Sequence, residues 1–420
     1  MDQECRRRLT VRPCHADNFE PAARETIQYI EEKRLPQMPV RLDGREQAAR
    51  DRSLNDFPKI HHSQYTVSLV KILGIETSCD ETAAAVVEDG KRLLSSVVAS
   101  SMDLHVPYGG VVPEIAARSH IEVILPVIHQ ALDEAACTWD DIDAIAVTYG
   151  AGLGGSLLVG VMTARTLAIA LNKPLYAINH VEGHVYANFL TETVLPGYTL
   201  RAAPPQFPML AIIVSGGHSQ LALFRDHFDY TLLGQTQDDA IGEAFDKVAK
   251  MLGLPYPGGP SVEKAAQAGK PIYTLPKAKM PGYDFSFSGI KTAVLRLAQA
   301  EIGESYDFPS TKLPERLSEA QKANIAASFQ RVAIETIVDK ANRACEEFQP
   351  KSVVIAGGVA ASAELRRQLT EALLLPIEFP DLKLCTDNGA MIATLGGFKA
   401  MRNQPAADPY SLAVEPDLSM

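Results

Sequence analysis

The sequence predicts a duplicated α/β fold with a ligand cleft between its two copies, and two observations carry that prediction. A hairpin with a short polar or glycine-containing turn occurs twice, over 72–88 and again over 209–224. Each hairpin is followed in the chain by a strand that runs into glycines and then a helix, at 143–171 and at 353–374. The same supersecondary units in the same order mark a duplication, and the crevice where the copies meet is the natural ligand site.

In chain order, residues 1–69 form an extension with one predicted helix at 21–34 and then a charged stretch without sustained periodicity, read as poorly ordered. Lys71–Glu76 then reads as a strand, 77–81 as a turn crowded with hydroxyl and carboxylate groups, and 82–88 as the returning strand. A strand over 143–148 enters the glycine-rich loop 149–155 and a long helix over 156–171, which Pro174 stops. Residues 175–178 form the next strand. In the second copy, Met209–Val214 is a strand, 215–217 a tight turn and 218–224 the return. A strand over 353–356, the pair Gly357 and Gly358, and a helix over 363–374 complete it. These elements divide into a first lobe (71–174 with about 388–402), a second lobe (175–387) and a tail (403–420).

Composition excludes several classes. Of 420 residues, 46% are hydrophobic and 22% charged, enough for a sizeable buried core. The net charge of −11 argues against a generally basic nucleic-acid binder. Residues 1–69 hold 12 basic and 11 acidic side chains, leaving 28 against 40 in the remainder, so the acidity belongs to the two lobes. Cys5, Cys14, Cys79, Cys137, Cys345 and Cys385 form no C-x-x-C pair, which points to a reducing compartment, the cytoplasm. Arg6, Arg7 and Arg8 keep a mitochondrial or plastid address as the alternative, against which the acidic residues of the extension weigh. The apolar stretch up to Leu171 is broken by Arg165, so no membrane contact is expected.

Four constellations carry chemistry. In the first, the two hairpin turns offer backbone N–H groups to phosphate oxygens, and Asp80 and Glu81 in the first turn can hold a cation or act as a base. The second is Gly150, Gly152 and Gly155, which fit G-x-G-x-x-G between a strand and a helix. The strand that follows ends in Asn179 and His180 where a dinucleotide fold needs an acid, so close packing explains these glycines better. The third is the pair His180 and His184, four residues apart behind Asn179 as a helix cap, which places two imidazoles on one face as metal ligands. Glu182 lies in neither position that a zinc protease of the H-E-x-x-H or H-x-x-E-H type requires. Asp387 is a candidate third ligand and equally a helix cap. The fourth is the acidic helix start with Glu243 and Asp246, suited to binding ribose hydroxyls, next to the 285–292 segment with its hydroxyls and Lys291.

Six segments together resemble the tRNA N6-adenosine threonylcarbamoyltransferase family, in its bacterial or organellar branch: Ile72 to Thr82, His180 with His184, Val214 to His218, Gly242 to Lys247, Phe287 to Thr292, and Thr386 to Ala390. The resemblance runs from about Lys71 to Arg402. It implies an actin/Hsp70/sugar-kinase-like fold and transfer of a threonylcarbamoyl group from threonylcarbamoyl-AMP to N6 of adenosine 37 in tRNAs that read codons beginning with A. It implies one divalent metal ion held by His180, His184 and Asp387, iron(II) in preference to zinc. Ile213, Val214, Ser215, Gly216 and Gly217 would contact the acyl-adenylate, with Asp246, Gly259 and Glu263 around its nucleoside. Ser362 stands where the family usually has asparagine. The implied partners are an inactive paralogue and a small P-loop ATPase, or a second copy of the chain if it is organellar. The alternatives are a metalloprotease, disfavoured by the place of Glu182, and a non-catalytic scaffold, which is expected to lack the metal triad.

Overall fold

The computed structural model describes residues 69–375 and 377–420; residues 1–68, with the predicted helix at 21–34, lie outside them. The first sheet contains β1 (Lys71–Glu76), β2 (Glu81–Glu88), β3 (Arg92–Ser100), β4 (Ala144–Gly150), β5 (Leu175–Asn179) and β6 (Glu192–Thr193), in the order β5-β4-β1-β2-β3-β6. Strands β1 to β3 are an antiparallel meander, and β4 joins β1 in parallel. The second sheet contains β7 (Met209–Val214), β8 (Ser219–Asp226), β9 (Asp229–Gln235) and β10 (Ser352–Ala356), in the order β10-β7-β8-β9. It repeats the plan: an antiparallel meander, with a parallel strand beside its first member. This is the duplicated two-lobed arrangement of the actin, Hsp70 and sugar-kinase folds.

The lobe boundary falls later than the sequence suggests. β5, expected to open the second lobe at 175, pairs in parallel with β4, and β6 pairs with β3. The reason is the crossover: β4, a helix and β5 make a βαβ unit, which returns its second strand to the same sheet. The first sheet therefore claims the chain to Thr193, and the second starts at Met209.

In the first lobe, α1 (Pro113–Glu134) packs on β2 and β3, and α2 (Gly154–Leu171) packs on β4. α2 has the length and composition to cross a membrane, but here Leu157, Val161, Ala164 and Ala168 are buried in the lobe. A short helix, α3 (His180–Tyr186), follows β5 without a break. The second lobe carries α4 (Ile241–Leu252), α5 (Gly258–Gln267), α6 (Ser288–Glu301), α7 (Glu319–Phe348) and α8 (Ala363–Ala372). The longest of these, α7, starts with a reciprocal Ser318 and Gln321 capping box and supports α5, α6 and α8. The chain then returns to the first lobe as α9 (Gly389–Met401), which lies across β1, β2 and β4.

The strand period of two decides how the sheets are buried. Leu210, Ile212 and Val214 of β7 face the helices of the second lobe, whereas Met209, Ala211 and Ile213 pack with Val181, Val185 and Met391 from α3 and α9. In β1, Ile72, Gly74 and Glu76 share a face, and α9 sits so close to it that a Cβ on Gly74 would run into the Gly389 carbonyl and the Ala393 amide. A Cβ on Gly389 would in turn lie 2.6 Å from the Ala84 backbone. This paired close approach fixes the start of α9. Gly74→Ala is therefore expected to lower stability by about 2 kcal/mol through overpacking, read as a shifted midpoint in urea at unchanged slope.

Candidate metal centre and ligand cleft

β5 ends in Asn179, whose side-chain oxygen accepts hydrogen bonds from the N–H groups of Val181 (2.8 Å) and Glu182 (3.3 Å) and so starts α3 at His180. One turn of α3 then stacks His180 and His184 on one face, with ring centroids 4.7 Å apart in an edge-to-face arrangement. Asp387 approaches from the other side of the chain. Its Oδ1 lies 3.1 Å from His184 Nε2 and 3.5 Å from His180 Nε2. Asp387 is not a helix cap: Asn388 takes that place, its side chain accepting from Met391 N, and leaves the neighbouring carboxylate free.

The donor set fits a metal ion. All three groups offer ligand atoms within 4.8 Å of one another. Both nitrogens of His184 are buried without a hydrogen-bond partner, and its 3.1 Å approach to Asp387 does not align as a hydrogen bond. His180 is prepared for the same role from behind. Its Nδ1 lies 3.2 Å from Oε2 of the fully buried Glu76 and 3.1 Å from Ser78 Oγ. A carboxylate at Nδ1 holds the proton there and turns the Nε2 lone pair toward Asp387. Three protein ligands of this kind leave coordination positions for substrate.

The local charges follow. Burial opposes charge on Glu76, yet His180 beside it holds its carboxyl below the ordinary value. Asp387 is half-buried; desolvation opposes its charge, but His180 and His184 hold it low. Burial alone would lower His180, but Asp387 and Glu76 outweigh it and raise the imidazolium to about 9. His218, in the turn between β7 and β8, is pushed down to about 4 by burial and by its neighbours His180 and His184. The glycine turn of the second lobe therefore stands at the histidines of the first.

The carboxylate turn also faces this space. Burial and the carboxylates of Asp387 and Asp80 raise Glu81 to about 9. Burial and the carboxylates of Asp387 and Asp80 push the Cys79 thiol far up. Burial and the fields of Asp246, Asp80 and Glu81 all raise the Tyr256 hydroxyl.

The remaining expected residues divide into open and committed groups. A Cβ on Gly216, Gly217 or Gly259 would meet nothing within 4 Å, so no packing inside the chain demands glycine there. Ile213 and Val214 are fully buried, leaving only their backbone for a ligand. Asp246 accepts a 2.6 Å hydrogen bond from Gly258 N and so sets the start of α5. Glu263 accepts from Ala363 N at 2.8 Å, and Ser362 Oγ accepts from Leu365 N at 3.4 Å. Both cap α8, a task serine performs about as well as asparagine. Glu243 is paired with Lys247 at 2.7 Å.

The family model of TsaD, tRNA N6-adenosine threonylcarbamoyltransferase, matches residues 92–394. This chain belongs to that family. It is 51% identical over 340 residues to the tRNA N6-adenosine threonylcarbamoyltransferase of Thermomicrobium roseum, covering 79% of this chain and 92% of that one. It is 47% identical over 352 residues to the one of Dehalococcoides mccartyi, covering 84% and 99%. Among solved structures it is similar to component A of the Acidaminococcus fermentans (R)-2-hydroxyglutaryl-CoA dehydratase, with TM-score 0.43, 16% identity, and coverage of 79% of this chain and 99% of that one.

Sequence reasoning missed the groups that support these family motifs. Glu76 is one. His120 and His105 are two more, both fully buried behind the carboxylate turn. His120 Nε2 lies 3.0 Å from the Cys79 carbonyl, which only accepts, so Nε2 carries the proton and Nδ1 accepts from Thr82 Oγ1 at 2.7 Å. His105 Nδ1 accepts from Val112 N, so its Nε2 donates to Ser101 Oγ, which donates to the Asp80 carbonyl at 2.8 Å. Their only signal in the sequence is two histidines flanking an apolar helix start.

The raised His180 gives a pH dependence with a definite sign. Its ion pairs with Asp387 and Glu76 are complete below the ordinary value of 6.5 and are lost as pH rises through about 9. A metal ion must displace that proton. Zn²⁺ affinity, measured by chelator competition, is expected to rise about tenfold per pH unit from 7 to 9 and to level off above.

Proposed function

We propose that this chain is the acyltransferase that forms N6-threonylcarbamoyladenosine in tRNA, taking the threonylcarbamoyl group from threonylcarbamoyl-AMP to adenosine 37 of tRNAs reading codons that begin with A. The observation that carries this reading is the convergence of His180, His184 and Asp387 with the glycine turn at Ser215 and the carboxylate turn at Asp80, in a chain of this family.

The chemistry sets three demands. N6 of adenosine is a weak nucleophile; it attacks the carbamoyl carbon, the bond from that carbon to the phosphate oxygen breaks, and AMP leaves with the electron pair. Backbone N–H groups of Gly216 and Gly217 suit the phosphate charge, because a Cβ at either would meet nothing within 4 Å. One of the two carboxyls of the first turn, Asp80 or Glu81, accepts the proton that leaves N6. Divalent iron in preference to zinc, held by His180, His184 and Asp387, would orient the threonyl group and polarise its carbonyl. Asp246, Gly259, Glu263 and Ser362 line the nucleoside end. Four described cysteines without disulfides support a reducing compartment, the cytoplasm.

Phosphate contacts normally supply tRNA affinity, and a net charge of −11 works against them. The reading therefore includes a partner that brings positive surface: an inactive paralogue with a small P-loop ATPase, or a second copy of the chain in an organelle.

Two experiments test this. With threonylcarbamoyl-AMP and unmodified tRNA, His180→Ala/His184→Ala is expected to lose at least about 100-fold in modified adenosine by mass spectrometry. Equal product from both proteins would remove the metal site from the reaction. Gly216→Val is expected to leave urea stability within about 0.5 kcal/mol while weakening threonylcarbamoyl-AMP binding at least about tenfold, read by calorimetry.

A further inference from the structure

The glycine-rich loop after β4 has no part in the reaction above, and its backbone groups are already engaged. Tyr149 O accepts from Glu415 N at 2.7 Å, Gly152 N donates to Pro416 O at 3.0 Å, and Leu153 N donates to Ser78 O at 2.7 Å. A Cβ on Gly150 would collide with Glu415 O and lie 2.8 Å from Leu418 Cβ; on Gly152 it would lie 2.5 Å from Ser78 O. The glycines let the tail pass directly over the loop.

The same tail is held at three further places. The Arg165 guanidinium, on α2, donates to the carbonyls of Pro409 (2.6 Å), Tyr410 (2.5 Å) and Leu412 (3.1 Å). Ala407 N donates to Leu175 O at 2.7 Å and covers the free edge of β5. At its far end, Ser419 O accepts from Asn179 Nδ2 at 3.0 Å. Asn179 is the cap whose other atom, Oδ1, fixes the first amides of α3.

We infer that residues 407–420 are a strap, seated in the glycine loop and clamped by Arg165, that sets the orientation of Asn179 and through it the pitch of the helix carrying His180 and His184. Asn179 and Arg165 are thus positioning residues. A primary amide can rotate; with Nδ2 tied to Ser419 O, Oδ1 is left facing Val181 and Glu182 in one orientation only. The strap lies outside the residues 92–394 matched by the family model, although the loop that receives it lies within them. The link to metal affinity rests on the metal reading of His180, His184 and Asp387; the link to helix α3 does not.

The test uses full-length protein with two different releases of the strap. Arg165→Met removes the clamp but keeps the aliphatic stem, and Gly150→Ala pushes Glu415 away from the loop. Hydrogen exchange is followed by mass spectrometry in the metal-free proteins, and Zn²⁺ affinity by chelator competition. Exchange over 404–420 and over 180–186 is expected to rise together in both variants, with Zn²⁺ bound about tenfold more weakly. Faster exchange over 404–420 with unchanged exchange over 180–186 would overturn the coupling. Unchanged exchange over 404–420 in both variants would overturn the clamp. Failure of the parent protein to bind Zn²⁺ would overturn the metal reading alone, and the exchange data would still decide the strap.

Discussion

A carboxylate with no exposure to water is costly unless every lone pair finds a donor, and Glu76 meets that demand at the point where three elements join. Its Oε1 accepts from Ser78 N at 2.5 Å, and its Oε2 from Thr148 Oγ1 at 2.5 Å and from His180 Nδ1 at 3.2 Å. The ends of β1 and β4 and the start of α3 are thereby tied to one charge. Removing a single partner from such a group strands the rest, which is typically worth about 3–5 kcal/mol. The cluster of His180, His184 and Asp387 inherits its geometry from this tie and from the depth to which α9 sinks onto β1.

The two copies of the duplicated unit divide the chemistry between them. In the first, the turn after the leading strand carries Ser78, Asp80 and Glu81, and its carbonyls are held by His120, Ser101 and Ser156. In the second, the equivalent turn carries Ser215, Gly216 and Gly217, and Ser215 Oγ accepts from His218 N to close it. One turn supplies charge and the other supplies bare backbone. Asp238 shows what the second lobe does with a spare carboxylate: it accepts from Phe287 N and from the hydroxyls of Ser286 and Ser288, and so fixes the start of α6. Lys291 and Lys247 neutralise the neighbouring Asp239 at 2.7 and 2.6 Å. The acidic segment at 238–247 is therefore largely scaffold.

Much of this was legible in the sequence because short-range rules governed it. The two hairpins show the strand period, and a helix cap followed by His-x-x-x-His places two rings on one face wherever the helix lies. The third candidate ligand needed structural information: local sequence could not separate Asp387 from Asn388 as the cap, and the Asn388 side chain that accepts from Met391 N decides between them. The division between lobes was misjudged at Leu175 because a strand does not announce its sheet. Glu76, His105 and His120 were missed because their roles depend on backbone carbonyls and partners brought in from up to 104 residues away. The glycine loop was read by exclusion as a packing feature, and what packs there is a segment more than 250 residues later.

The electrostatic field around the carboxylate turn has a consequence for redox chemistry. Cys79 stands directly before Asp80 and is only partly covered, a placement that elsewhere marks a reactive sulfur. Oxidants and alkylating reagents attack the thiolate, and burial together with Asp387 and Asp80 denies Cys79 that form. The carboxylates that make this turn acidic thus also disfavour the thiolate of the sulfur beside them.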